Sequence, residues 1–164
     1  MKVSDFMIKE VYSARPIQTV KEVMQVFVEK RIGGIPICDE NKKLIGVVTD
    51  GDIIRSIKPI DRQLIDLMFY ITVLQGHNLE KRIEETIDSP ILNIAKKKNI
   101  VTVSPDDELE TVVNLLSKYH FKKIPVVNDN NEVVGIVSRG DVLRIIQKEI
   151  LKSLEVNSNR NQDE

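Results

Sequence analysis

The sequence contains no tryptophan, a single cysteine, and aromatic residues at only 4% of its length. Each shortage excludes something. A lone cysteine, Cys38, cannot build an internal disulfide framework and suits a reducing compartment. Scarce aromatics leave few stacking platforms for single-stranded nucleic acid. Charge of one sign is also lacking: 24 Lys and Arg stand against 25 Asp and Glu, for a net charge of −1. A surface so balanced gives no global attraction to nucleic acid or to an anionic membrane. No apolar run approaches the roughly 18 residues that span a bilayer. Met1–Glu10 is charged from the start and lacks the apolar core of a secretion signal. A cytoplasmic protein with no membrane partner is expected. The usual catalytic signatures (G-x-S-x-G, P-loop, H-E-x-x-H, C-x-x-C) are missing as well. His77 and His120 have no Cys or carboxylate cluster at ligand spacing. No catalytic residue, metal site or required cofactor is therefore expected, and no enzyme.

What the sequence does have is a repeat. Gly34–Arg55, GIPICDENKKLIGVVTDGDIIR, recurs without a gap as KIPVVNDNNEVVGIVSRGDVLR in Lys123–Arg144. Eight columns are identical: Ile35/Ile124, Pro36/Pro125, Asn41/Asn130, Gly46/Gly135, Val48/Val137, Gly51/Gly140, Asp52/Asp141 and Arg55/Arg144. Composition alone would give about one or two over this length. This is an internal duplication.

Each copy has the same grammar. Thr19 and Glu22 form a capping box ahead of Val20, Val23, Met24 and Phe27, which share a helical face. Gly33-Gly34 is expected to end that helix. Ile35–Cys38 and Leu44–Val48 read as a hairpin across the polar turn Asp39–Lys43, and Thr49 opens a helix to about Ile57. In the second copy Leu109, Val112, Val113 and Leu116 form the helix face, followed by strands at Ile124–Val127 and Val133–Val137. An α+β fold of two tandem repeats is expected, spanning 1–58 and 91–152. Between them, 59–90 is an insertion with an unassigned apolar stretch at Leu64–Leu74 and a helix at Leu79–Ile87. A flexible polar tail is expected over 153–164. A two-stranded hairpin is marginal in water, so the copies are expected to pack together about a pseudo-two-fold axis, with crevices between them suited to small ligands.

The chemistry-bearing residues are Thr49-x-x-Asp52 and Ser138-x-x-Asp141, each where a strand gives way to a helix. Helix N-termini attract anions, a hydroxyl there can meet a phosphate, and a carboxylate one turn in can accept hydrogen bonds from a sugar diol. Ser/Thr-x-x-Asp is also an ordinary helix cap. Two features favour a ligand site: the tetrad recurs in both copies, and each time a glycine three residues before the hydroxyl, Gly46 or Gly135, is expected to leave open backbone.

The pattern hPhhD…GhhT/S-x-x-D, placed after an amphipathic helix and duplicated, resembles the CBS (cystathionine beta-synthase) domain pair, or Bateman module. Val3-x-Asp5-Phe6-Met7 and Val11-x-Ser13-Ala14-x-Pro16 resemble that family's leading segment, of which Asn93 and Ala95-Lys96 are a divergent second version. The resemblance implies a regulatory module binding AMP, ADP, ATP or S-adenosylmethionine in the cleft between repeats, signalling to an effector protein or through oligomerisation. It implies ribose contacts from Asp52 and Asp141, and phosphate or ribose contacts from Thr49 and Ser138. Ser13 and Thr102, with the backbone around Gly34-Ile35 and Lys123-Ile124, would border the base. The rival readings are a structural dimerisation module with empty clefts and, further off, an enzyme acting on a bound nucleotide.

Two further expectations follow from the columns. Ile53, Ile54, Ile57, Val142, Leu143, Ile145 and Ile146 give the closing helices more apolar surface than one core face needs, and the family commonly dimerises through helices; a homodimer is expected. Gly33-Gly34 and Asp50 in copy one become Lys122-Lys123 and Arg139 in copy two, beside His120. The site using Asp141 is therefore expected to favour more highly phosphorylated ligands.

Overall fold

Residues 1–59, 63–67, 70–74, 78–119 and 122–160 are described by a computed structural model, as backbone alone over 63–67, 70–74 and 153–160. The chain divides into two units, Tyr12–Ile100 and Met1–Val11 with Val101–Glu164.

In the unit Tyr12–Ile100, helix α2 (Val20–Lys30) follows a short helix α1 (Val3–Phe6) that belongs to the other unit. The capping box forms as expected: Glu22 N–H donates to Thr19 Oγ1 at 3.2 Å, and Thr19 N–H donates to the Glu22 carboxylate at 2.6 Å. Val20, Val23 and Phe27 face the core. The helix stops at Arg31, which adopts the left-handed conformation at φ 52°. This corrects the expectation that Gly33-Gly34 does so, since no glycine among the described residues has positive φ. Gly33 answers a different need: a Cβ there would lie 2.8 Å from Asp50 Oδ2.

Strands β1 (Gly34–Cys38) and β2 (Leu44–Thr49) pair antiparallel, with Gly34 opposite Thr49. Asp39 holds their turn by accepting from the N–H groups of Asn41 and Lys43, both at 2.9 Å. The hairpin is flanked on both sides: Ala14 pairs in parallel with Ile37, and Lys96 pairs antiparallel with Val47. Helix α3 (Asp50–Ser56) leaves β2 directly. The insertion supplies a hairpin of β3 (Gln63–Leu67) and β4 (Tyr70–Leu74), then helix α4 (Leu79–Ile87) over the expected span. Arg82 of α4 donates to the Ser56 carbonyl at 2.5 Å, satisfying an acceptor at the end of α3. A 3-10 turn, Ile91–Asn93, buries Ile91 completely among Val20, Phe27, Ile35 and Ile37.

The other unit repeats the plan. Helix α5 (Leu109–Lys118) packs over β5 (Lys123–Val127) and β6 (Val133–Ser138), and Asn128 closes the turn where Asp39 does in its counterpart. Val103 pairs in parallel with Val126, and Ile8 pairs antiparallel with Ile136. Val3 is fully buried among Val112, Ile124 and Val137. Each hairpin thus takes its outer neighbour from the segment that leads into the other sequence repeat. Helix α6 (Arg139–Arg160) runs past the 152 boundary and through the part of the expected tail that is described. No Gly or Pro interrupts 153–160, so nothing in the backbone stops it. Residues 161–164 lie outside the described residues.

Of the apolar residues on the closing helices, Ile53 and Val142 belong to the two cores, whereas Ile54 and Leu143 are 65% and 61% exposed. On α6, Ile150 and Leu151, 53% and 52% exposed, add to this apolar surface. Among the described residues, no helix is long and apolar enough to cross a membrane.

Truncating a fully buried isoleucine costs about 2–5 kcal/mol. Ile91→Ala is expected to weaken hydrogen-exchange protection of the β1–β2 amides far more than that of β5–β6. The opposite ranking would contradict the exchange of leading segments.

Candidate functional site

The strand-to-helix junctions put Thr49 and Asp52 together in one unit, and Ser138 and Asp141 in the other. In the first, Asp52 Oδ2 accepts from Thr49 N–H at 2.8 Å and from the Thr49 hydroxyl at 2.6 Å. Asp52 N–H returns a bond to Thr49 Oγ1 at 3.4 Å. In the second, Asp141 Oδ2 accepts from Ser138 N–H at 3.3 Å and from the Ser138 hydroxyl, and Asp141 N–H donates to Ser138 Oγ at 3.2 Å. Both tetrads are complete capping boxes. Both hydroxyls are spent on their own carboxylates, so neither can donate to a phosphate without leaving that bond.

The other oxygen of each carboxylate, Oδ1, is met by an arginine one turn on: Arg55 for Asp52 and Arg144 for Asp141. The aspartates are largely covered, with side chains 17% and 15% exposed, while the arginines are 71% and 69% exposed. Burial pushes the Asp141 carboxyl up, but the hydrogen bonds from Ser138 and Arg144 and the Arg144 charge outweigh it, and the net shift is below the ordinary carboxylate value. The arginines were visible in the sequence as identical columns but were not assigned to the site. Their place at the third residue after each Asp, on the same helical face, was the available signal.

Around this shared geometry the two junctions differ in charge. Asp50 N–H donates to Gly33 O at 3.1 Å, and Arg139 N–H donates to Lys122 O at 3.0 Å, so the backbones superpose in pattern. In the first junction the Asp50 carboxylate accepts from Gly51 N–H at 2.7 Å and occupies that first-turn donor. Arg139 offers no such acceptor to Gly140. Gly34 lies opposite Thr49 and Lys123 opposite Ser138. Ser13 and Thr102 immediately precede Ala14 and Val103, the residues that flank β1 and β5. Ile35 and Ile124 are core side chains, 2% and 0% exposed, leaving only their backbone for a ligand. Cys38 is buried, and burial first, with the Asp39 charge, pushes its thiol pKa up. It is a packing residue here. His77 and His120 lie outside the described residues. Among the described residues no group of three or more His, Cys, Asp or Glu could hold a metal.

The architecture is that of a duplicated α+β unit, with one hydroxyl–carboxylate–arginine junction per unit. The CBS domain family matches residues 3–59 and 93–148, and the chain belongs to that family as a pair of CBS repeats. It is 30% identical over 146 residues to protein MJ1232 of Methanocaldococcus jannaschii, covering 89% of this chain and 40% of that one. It is 28% identical over 148 residues to the chloroplastic CBS domain-containing protein CBSX2 of Arabidopsis thaliana, covering 87% and 62%. The chain thus spans less than two thirds of either relative. Among solved structures, CBSX2 in complex with AMP matches at a TM-score of 0.69 and 26% identity, covering 90% of this chain and 96% of that one. The CBS domain pair of MJ0100, in complex with 5′-methylthioadenosine and S-adenosyl-L-methionine, matches at 0.69 and 25%, covering 91% and 98%.

The lowered Asp141 carboxyl has a pH consequence. A carboxylate with a depressed folded-state pKa adds stability that is complete above its unfolded value and is lost as pH falls through the folded one. The stability difference between wild type and Asp141→Asn should be constant above about pH 5. It should shrink as pH falls through the ordinary value of 3.8 and below. Urea denaturation across this range checks it, and a difference independent of pH would contradict it.

Proposed function

We propose that the protein is a non-catalytic regulatory module that binds an adenosyl compound, with Asp52 and Asp141 as ribose acceptors. The observation that carries this reading is the twice-built junction in which a largely covered carboxylate keeps one oxygen, Oδ1, on the side away from its cap. Capping needs only Oδ2. The AMP complex of CBSX2 and the methylthioadenosine and S-adenosylmethionine complex of MJ0100 support the ligand class. Thr49 and Ser138 serve by holding the carboxylates. Ser13, Thr102 and the backbone at Gly34-Ile35 and Lys123-Ile124 border the base. Lys122, Lys123 and Arg139 make the Asp141 junction the more cationic, and it takes the more highly phosphorylated ligand. Asp50 disfavours a second phosphate at the Asp52 junction, which takes AMP or an uncharged adenosyl group. In this reading the signal passes to a partner protein or through a cytoplasmic homodimer, for which the exposed Ile54 and Leu143 supply contact surface.

A structural pair with empty junctions is the second reading. It is favoured by the fact that every carboxylate oxygen already has a protein partner.

Thermal shift against AMP, ADP, ATP and S-adenosylmethionine separates the two. A ligand at 100 times its dissociation constant stabilises by about 2.7 kcal/mol, which is roughly 5–10 °C for a chain of this size. Asp52→Ala should weaken AMP more than ATP, and Asp141→Ala the reverse. Light scattering on the same samples should give twice the 18.7 kDa monomer mass. No shift with any compound at millimolar concentration would favour the structural reading.

A further inference from the structure

The inserted hairpin β3–β4 lies outside both matched CBS segments, 3–59 and 93–148. Among the described residues it is a sheet of two strands that no third strand joins. A hairpin standing alone is marginal in water, and its free edges are templates for another strand. The other two hairpins have no edge to give it: Ala14 and Lys96 already flank β1–β2, and Val103 and Ile8 flank β5–β6.

The register decides which backbone groups face outward. Leu67 pairs with Tyr70 across only two residues, so theirs is a hydrogen-bonded pair. Such pairs alternate along an antiparallel ladder, so Ile65–Thr72 and Gln63–Leu74 are bonded also. The N–H and C=O groups of Ile71 and Val73 therefore face the outer edge of β4, and those of Leu64 and Asp66 the outer edge of β3. The two edges differ in charge. β4 reads Tyr70-Ile71-Thr72-Val73-Leu74, with no charge, proline or glycine to blunt it and three β-branched residues in a row. In β3 one outward position is Asp66. Two β3 strands paired about Ile65 would set each Asp66 opposite Leu64 and diagonal to the other Asp66, which opposes pairing.

We propose that β4 is a self-association edge: it pairs antiparallel with β4 of a second copy about a two-fold axis through Thr72. In that register Ile71 stands opposite Val73 of the second copy, and every outward N–H and C=O group of Ile71 and Val73 finds a partner. Thr72 faces Thr72 and Tyr70 faces Leu74, pairs that favour a sheet. The edge is thus complementary to itself, as a two-fold interface requires. The product is one four-stranded sheet, β3-β4-β4-β3, shared by two chains. It adds main-chain hydrogen bonds to the apolar contact of Ile54 and Leu143 in the homodimer proposed above, and it needs no adenosyl ligand.

Hydrogen exchange of the wild-type protein tests it first. At concentrations where it is a dimer, the Ile71 and Val73 amides should exchange at least about tenfold more slowly than those of Leu64 and Asp66. Dilution to monomer should remove the difference. Cysteine cross-linking in a Cys38→Ala background is the second readout. Opposed residues of a non-hydrogen-bonded pair have Cα atoms about 4.5 Å apart, within disulfide reach, so Thr72→Cys should give a disulfide-linked dimer. Ile65→Cys, at the equivalent centre of the β3 edge, should not. Val73→Pro removes an outward donor and spares the β3–β4 bonds. It should abolish the Thr72→Cys cross-link while the Ile65 and Thr72 amides, which bond within the hairpin, stay protected. Equal exchange at the four outward amides, or equal cross-linking of the two cysteine variants, would overturn the proposal and leave the edge to a strand of another protein. Neither result bears on AMP binding, which the thermal-shift panel reads separately.

Discussion

A two-stranded hairpin cannot bury its own apolar face, and the rest of the structure answers that constraint. β1–β2 and β5–β6 each need a neighbour on both edges and a helix across one face. Val103 and Ala14 provide one edge from the same repeat. Ile8 and Lys96 provide the other, from the segment ahead of the opposite repeat. Ile91 and Val3 are the fully buried residues that come with those segments. Neither sequence repeat is therefore a complete unit on its own.

This organisation fixes the junctions. β2 and β6 are central in their small sheets, flanked on both sides, so the points where they end are held firmly. α3 and α6 start at those points, with Asp52 and Asp141 one turn in. The capping boxes then orient each carboxylate, with Oδ2 turned to the backbone and Oδ1 to the arginine. Function in this account is an addition to a cap. The fold would keep Oδ2 occupied with or without a ligand, and only Oδ1 is left for recognition.

Much of this was legible from residue spacing. The duplication, both hairpins, the Thr19–Glu22 box and the helix at Leu79–Ile87 could be read because each depends on neighbours close in sequence. The partners of Val3 and Ile91 could not, because they lie more than a hundred residues from Val3 and more than fifty from Ile91, and no local pattern encodes them. Arg31 took the left-handed position although two glycines follow it: Gly33 is needed for closeness to Asp50, which only the fold reveals. The leading residues Asn93 and Ala95-Lys96 looked divergent, yet Lys96 pairs with Val47 through backbone groups that any side chain permits. The arginines of the junction were visible as repeated letters, and their meaning came with the carboxylate geometry.

The central claim is that both strand-to-helix junctions meet an adenosyl ligand. Backbone amide spectra of uniformly labelled protein titrated with AMP test it most directly, because every junction amide reports separately. The account predicts that the largest shifts fall within Thr49–Arg55 and Ser138–Arg144, with smaller ones at Ser13, Gly34, Thr102 and Lys123. Shifts concentrated away from both junctions, or none at millimolar AMP, would contradict it.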